Sequence, residues 1–92
     1  MIRSFRGDDA RRIFEGGRSR RFANIQSVVE RKLLLLDTAT TLQDLASPPN
    51  NRLEALKRDR IGQHSIRIND QFRLCFRWRE GSAYDVEIVD YH

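Results

Sequence analysis

The sequence is short of several things, and each shortage excludes something. It has one cysteine, two histidines, two prolines and only two lysines, Lys32 and Lys57. Cys75 cannot form an internal disulfide. It stands inside an alternating apolar run, which reads as a buried, inert thiol in a chain suited to a reducing compartment. So few histidines and cysteines argue against a closed structural zinc site, so no metal is expected. No Gly-rich phosphate loop is present, and no cofactor is expected. Counting alone leaves a Ser-His-Asp triad open, but no nucleophile turn is visible. No run approaches the roughly 18 apolar residues of a membrane span. The start, Met1-Ile2-Arg3-Ser4-Phe5-Arg6, is too short and too charged for a signal peptide. The expectation is a soluble cytoplasmic protein with no membrane partner.

What is present is arginine. Fifteen of the seventeen basic residues are Arg, and the formal net charge is +4. Residues 1–32 carry nine basic and four acidic groups, and residues 51–79 carry eight and three, whereas residues 80–92 carry four acidic groups and no basic one. Two basic blocks thus precede an acidic C-terminal strand. The guanidinium fork binds phosphate bidentately and stacks on bases, so nucleic acid is one partner this pattern fits. An Arg-rich codon bias with an ordinary solvated surface fits it equally. At 92 residues, with 39% hydrophobic and 33% charged residues of mixed sign, one folded domain over 1–92 is expected.

The hydrophobic pattern supplies an element order. Ile2–Arg6 reads as a short opening strand. Asp8 or Asp9 caps a short helix through Ile13 and Phe14, which Gly16-Gly17 stops. Arg18-Ser19-Arg20-Arg21 is a basic connector, with Ser19 a candidate cap. Phe22, Ile25, Val29, Leu33 and Leu36 form a helical stripe over about 22–37, widened by Val28, Leu34 and Leu35. A short turn follows around Leu42 and Leu45, and Ser47-Pro48-Pro49-Asn50 breaks the chain. Residues 51–56 are ambiguous; Leu53 and Leu56 suggest one anchored turn. Three strands close the chain. His64–Ile68 and Gln71–Arg79 alternate across a two-residue Asn69-Asp70 turn. Beyond Glu80-Gly81-Ser82, Tyr84, Val86 and Ile88 share one face. The fold class is therefore α+β: a small antiparallel sheet with two N-terminal helices on one face. The open face is left with Arg73, Arg77, Arg79, Glu87 and Tyr91.

The residues with chemistry to offer are Lys57, the open-face arginines and the ending Asp90-Tyr91-His92. RNA cleavage needs no metal: the 2′-hydroxyl attacks the adjacent phosphate, a base takes its proton, cations stabilise the phosphorane and an acid protonates the leaving 5′-oxygen. His92 suits either proton transfer near neutral pH. Arg73 and Lys57 suit the phosphorane, Tyr91 suits stacking or proton movement, and Asp90 suits orienting His92 or Arg73. Each has a plainer reading. His92 is also a solvated chain end, and Tyr91 also caps a sheet edge. Arg73 and Arg77 also pair across strands with Glu87 and Asp85, and Asp90 also serves as a polar partner at the edge of the core. His64 shares parity with Ile66 and Ile68 and reads as structural.

Three stretches, residues 1–5, 53–76 and 86–92, carry a resemblance. The second holds Leu53-Glu54-Ala55-Leu56-Lys57 and Gly62-Gln63-His64-Ser65-Ile66-Arg67-Ile68-Asn69-Asp70-Gln71-Phe72-Arg73; the third ends on Asp90-Tyr91-His92. Together they resemble the HigB branch of the RelE/ParE superfamily of toxin–antitoxin modules. The resemblance implies a metal-independent, ribosome-dependent endoribonuclease that cuts mRNA in the decoding A site. It implies a helix-turn-helix antitoxin (HigA-like) as partner, with operator DNA met only through that antitoxin. Residue by residue, it places the active site at Lys57, Arg73, Asp90, Tyr91 and His92. Arg18, Arg20, Arg21, Arg58 and Arg77 are the candidate RNA-binding residues. The chain departs from the family pattern in two places. Glu54 stands where some relatives have histidine, and either orients Lys57, three residues on, or has no role. Arg58 stands where a glycine commonly follows the lysine. The competing reading is a ParE-like toxin of the same fold that inhibits DNA gyrase without cutting nucleic acid; the ending Asp90-Tyr91-His92 argues against it.

Overall fold

The computed structural model describes residues 1–91. Its centre is an antiparallel sheet in the order β1 (Glu54–Ala55), β2 (Gln63–Arg67), β3 (Phe72–Arg79) and β4 (Ser82–Asp90). Helices α1 (Asp9–Phe14) and α2 (Gln26–Thr38) lie on one face, as the α+β expectation requires. No helix among the described residues is long and apolar enough to cross a membrane.

The alternation of β3 decides which face is which. Leu74 and Phe76 are fully buried against Val29, Leu33 and Leu36 of α2, and Phe72 and Trp78 pack at the margins of the same core. Four consecutive leucines cannot all face the sheet when each residue turns by about 100°. Leu33 and Leu36 are buried, but Leu34, expected to widen the stripe, is 60% exposed. The first turn of the expected helix, Ala23–Ile25, is a 3₁₀ turn. Ser19 does not cap. It is buried, and its hydroxyl donates to Asp9 Oδ1 at 2.9 Å, tying the basic connector to the start of α1.

Three local expectations give way to nonlocal pairing. Residues 54–55 are not helical; they extend as β1, with Glu54 opposite Ser65 and Ala55 opposite His64. The N-terminal arm forms only isolated parallel bridges, Ile2 to Ala83 and Phe5 to Val86. The β2–β3 connection is longer than two residues. Arg67 pairs with Arg73, and Asn69 Oδ1 accepts from the backbone N–H of Gln71 (2.9 Å) and Phe72 (2.8 Å). This is an Asx-type turn, in which the side chain substitutes for a backbone acceptor.

The largest correction is on β4. Cys75 pairs with Glu87 but Arg77 pairs with Tyr84, so β4 carries one extra residue. Asp85 sits at φ 52°, the left-handed conformation that Asp tolerates better than most residues. This bulge moves Tyr84 off the face of Val86 and Ile88. Ala83 takes the core position opposite Trp78, while Tyr84 joins the open face, where the Arg79 guanidinium lies 4.4 Å from its ring centre. The β3–β4 turn itself is the two residues Glu80 and Gly81, both at positive φ as the tight hairpin turn demands.

The 47–53 segment is anchored by Asn51. It is fully buried, donates to the carbonyls of Leu45 and Ser47 at 3.2 Å each, and accepts from Lys32 Nζ. Burial of the Lys32 amine, with Arg31 and Arg67 nearby, lowers its pKa from the ordinary lysine value.

His64 lies on the core face, stacked on Phe76 at 6.1 Å between centroids. Its Nδ1 is buried and has no hydrogen-bond partner among the described residues. Burial lowers its pKa, so the folded chain disfavours the protonated ring. The unfolded chain takes up that proton near pH 6.5, so stability falls as pH drops below this value. Thermal unfolding followed from about pH 7 to pH 5 should show this loss. His64→Phe should flatten the limb; an unchanged slope in that variant would show that other groups cause it.

Candidate active site

The open face of the sheet ends in two shallow hollows with Tyr91 between them. One, about 450 Å³, is lined by Lys57, Asp59, Arg60, Val89, Asp90 and Tyr91. The other, about 210 Å³, is lined by Arg52, Arg67, Asn69, Asp70, Arg73 and Tyr91. Four of the five residues placed in the active site from sequence (Lys57, Arg73, Asp90 and Tyr91) therefore line one continuous region. His92, the fifth, lies outside the described residues.

Each side chain arrives by a separate route. Asp90 ends β4 on the helix-side parity, opposite Phe72, and accepts from Gln71 Nε2 at 3.1 Å. Tyr91 is tied to the same turn by its backbone N–H, which donates to the Gln71 carbonyl at 2.7 Å. Tyr91 is 44% exposed, and the Arg73 guanidinium lies 5.9 Å from the centre of its ring. Burial is the main cause that raises its pKa. At neutral pH Tyr91 is thus a neutral phenol, able to stack and to donate a proton but not to act as a base. Lys57 is exposed and stands just before a 3₁₀ turn, Arg58–Arg60.

Arg73 differs from what its place on an open face suggests. It is only 9% exposed. Nε donates to Ser65 Oγ at 2.7 Å, Nη2 donates to the Arg52 carbonyl, and Nη1 lies 3.6 Å from Glu54 Oε1. Its charge is held in place by Ser65 of β2 and by the segment that leads into and forms the edge strand β1. Glu54 therefore serves Arg73. It does not stack under Lys57, because the intervening chain is extended, not helical. Arg58 adopts φ 58°, the left-handed conformation that favours glycine. The loop thus keeps a glycine-type geometry with an arginine in it, at some cost in strain.

The candidate RNA-binding residues divide between two places. Arg58 is exposed beside Lys57, and Arg77 lies on the open face with its Nε 3.5 Å from Asp85 Oδ2. Arg18, Arg20 and Arg21 are exposed on the connector between α1 and α2. That connector approaches the Asp90 end of the sheet: Phe22, next to Arg21, packs edge-on to Phe72 at 5.1 Å, and Phe72 is the partner of Asp90.

Sequence reasoning missed Arg60. It lines the hollow of Lys57 and Tyr91, and Glu87 and Gln63 hold its guanidinium. Sheet parity pointed to Glu87 on the open face, but nothing local said which cation would reach it. Burial pushes the Cys75 thiol, also on this face, up to about 11, so it stays protonated at neutral pH. Among the described residues, no three His, Cys, Asp or Glu side chains group as metal ligands would.

The chain is 44% identical over 61 residues to a Vibrio cholerae protein named Toxin HigB-1; the aligned stretch covers 66% of this chain and 64% of that relative, just under two thirds of its length. It is 36% identical over 81 residues to an uncharacterized Haemophilus influenzae protein, covering 86% of this chain and 80% of that one. It is 32% identical over 93 aligned positions to a Proteus vulgaris protein named Endoribonuclease HigB, covering both chains completely. The family described as the RelE-like toxin HigB of type II toxin–antitoxin systems matches residues 3–92, and the chain belongs to this HigB-like toxin family.

Proposed function

We propose that this toxin is a ribosome-dependent endoribonuclease that cuts mRNA in the decoding A site without a metal ion. The observation that carries the reading is the convergence of Lys57, Asp90 and Tyr91 on one hollow with Arg73 at its border. The Proteus vulgaris relative's name supports the activity class. In the proposed step the 2′-oxygen attacks the adjacent phosphorus and its proton passes to a base. The bond from phosphorus to the 5′-oxygen then breaks, and that oxygen is protonated. The products carry a 2′,3′-cyclic phosphate and a 5′-hydroxyl. His92 follows Tyr91 in sequence, and imidazole is the side-chain type that ordinarily transfers protons near neutral pH. Lys57 stabilises charge on the phosphorane, and the neutral Tyr91 ring supplies a stacking platform for a base. Arg73, buried and tied to three groups, supplies a fixed positive field at the border of the site. The partner on this reading is a helix-turn-helix antitoxin of the HigA type, and the compartment is the cytoplasm.

The mRNA on translating ribosomes should be cut efficiently and naked mRNA poorly, because a small cationic face cannot by itself impose in-line geometry on a flexible strand. Mapping of mRNA 5′ ends after brief expression should show cleavage that His92→Gln abolishes, with the variant still folded. Full toxicity in a soluble His92→Gln protein would remove His92 from the reaction. Inhibition of purified gyrase, with no mRNA cut, would replace the nuclease reading by the ParE-like one.

Arg73→Ala should lower stability as well as activity. It leaves the Ser65 hydroxyl and the Arg52 carbonyl without their donor, and each orphaned group costs about 1–3 kcal/mol; Glu54, whose side chain is exposed, adds little. Chemical denaturation measures this directly; an unchanged midpoint would mean that the three interactions contribute nothing.

The exposed connector arginines are assigned to docking on ribosomal RNA. Phosphate contacts position a protein without reading sequence. Replacing Arg18, Arg20 and Arg21 by Ala should weaken ribosome pelleting. Its salt dependence should flatten by roughly one log unit per log unit of salt for each phosphate no longer neutralised. Cut-site choice should stay the same. Intact pelleting with impaired antitoxin binding would assign the patch to the antitoxin instead.

A further inference from the structure

Two carboxylates stand in one cross-strand row of the open face. The row runs Glu54, Ser65, Cys75, Glu87 from β1 to β4. Each end of it holds an arginine. Glu54 Oε1 lies 3.6 Å from Arg73 Nη1, and Glu87 Oε2 lies 3.4 Å from Arg60 Nη1. Each arginine has a second anchor, Ser65 for Arg73 and Gln63 Oε1 (3.1 Å) for Arg60. The two arginines line two hollows that share Tyr91. They differ in what they have left to give. The Arg73 side chain is 11% exposed and donates from Nε and Nη2 within the protein, with Nη1 beside Glu54. The Arg60 side chain is 30% exposed, and its two anchors share the single atom Nη1.

We propose that Arg60 is a phosphate-binding residue of the RNA site, with Glu87 and Gln63 as its positioning residues. Among the described residues the Arg60 guanidinium is pinned through one nitrogen, which leaves the remaining edge of its fork to a phosphate, and the pinning removes rotamer freedom that binding would otherwise cost. Arg60 shares its hollow with Lys57, so a phosphate there meets two cations, one fixed and one exposed. Glu87 is also 3.8 Å from Arg6 of the N-terminal arm, so two guanidinium groups balance this one partly buried carboxylate. The ligand is a phosphodiester of single-stranded RNA, and this identification rests on the nuclease reading above.

The experiment measures binding of a short 2′-O-methyl RNA, which cannot be cut, across a salt series, beside cleavage of mRNA on ribosomes by the same proteins. Arg60→Ala should bind about tenfold more weakly, the scale of one charge-assisted hydrogen bond. Its log affinity should depend less steeply on log salt, by roughly 0.7 for a single strand. Arg60→Lys should restore the slope but only part of the affinity, and Glu87→Gln should weaken binding while keeping the full slope. If Arg60→Ala does not fold, Arg60→Gln, which retains an amide donor toward Glu87, is measured in its place. Wild-type affinity and slope in the Arg60 variant would overturn the proposal, as would a wild-type protein with no salt-dependent RNA binding. A wild-type protein that binds the RNA but cuts no mRNA would sink the nuclease reading, while the slope of the Arg60 variant still decides the role of Arg60.

Discussion

The pleat of β3 is the constraint on which the rest of the structure depends. Phe72, Leu74, Phe76 and Trp78 must face the helices to make a core, and a strand that sends them one way sends Arg73, Cys75 and Arg77 the other. The open face is thus cationic as a consequence of the core. Burying Leu74 and Phe76 contributes about 2–3 kcal/mol each, enough to hold the register against the charge it places side by side. A slip of one residue would exchange the two faces and put three arginines into the core.

That face is then divided by its carboxylates. Arginines on adjacent strands repel in a low-dielectric setting unless counter-charge is fixed near them. Glu54 and Glu87, at the ends of one row, separate the cations and fix where each guanidinium sits. The acidic character of β4 therefore positions positive charge; it does not cancel it. The ending of β4, tied to Gln71 through Asp90 and the Tyr91 backbone, brings the aromatic ring between the two cations.

The segment from Leu45 to Ala55 links the helix layer to this arrangement. Asn51 fastens it to Lys32 of α2, and the next residue, Arg52, turns at φ 46° so that its carbonyl meets Arg73. A helix side chain and an open-face guanidinium are in this way separated by two backbone positions. Burial of Asn51 with its hydrogen bonds made keeps the loop from fraying, since each orphaned group would cost about 1–3 kcal/mol.

The sequence by itself determined the periodic elements, the face assignment of β3, the HigB-like resemblance and the terminal residues that line the hollow. These follow from local repeats of two and of 3.6 residues, and from a motif read along the chain. It did not determine the bulge at Asp85 that sends Tyr84 to the open face, the extension of Glu54–Ala55 as a strand, the burial of Arg73 or the place of Arg60. Only the tertiary structure decided these. One extra residue in β4 is visible only against its partner strand. A two-residue strand has no period to detect and exists because β2 offers an edge. Arg73 is buried, and Arg60 reaches the hollow, through groups 8 to 27 residues away in the chain, Ser65 and Arg52 for one and Glu87 for the other. Such pairings form when separate segments close on one another, and nothing in a local pattern encodes which of them will meet.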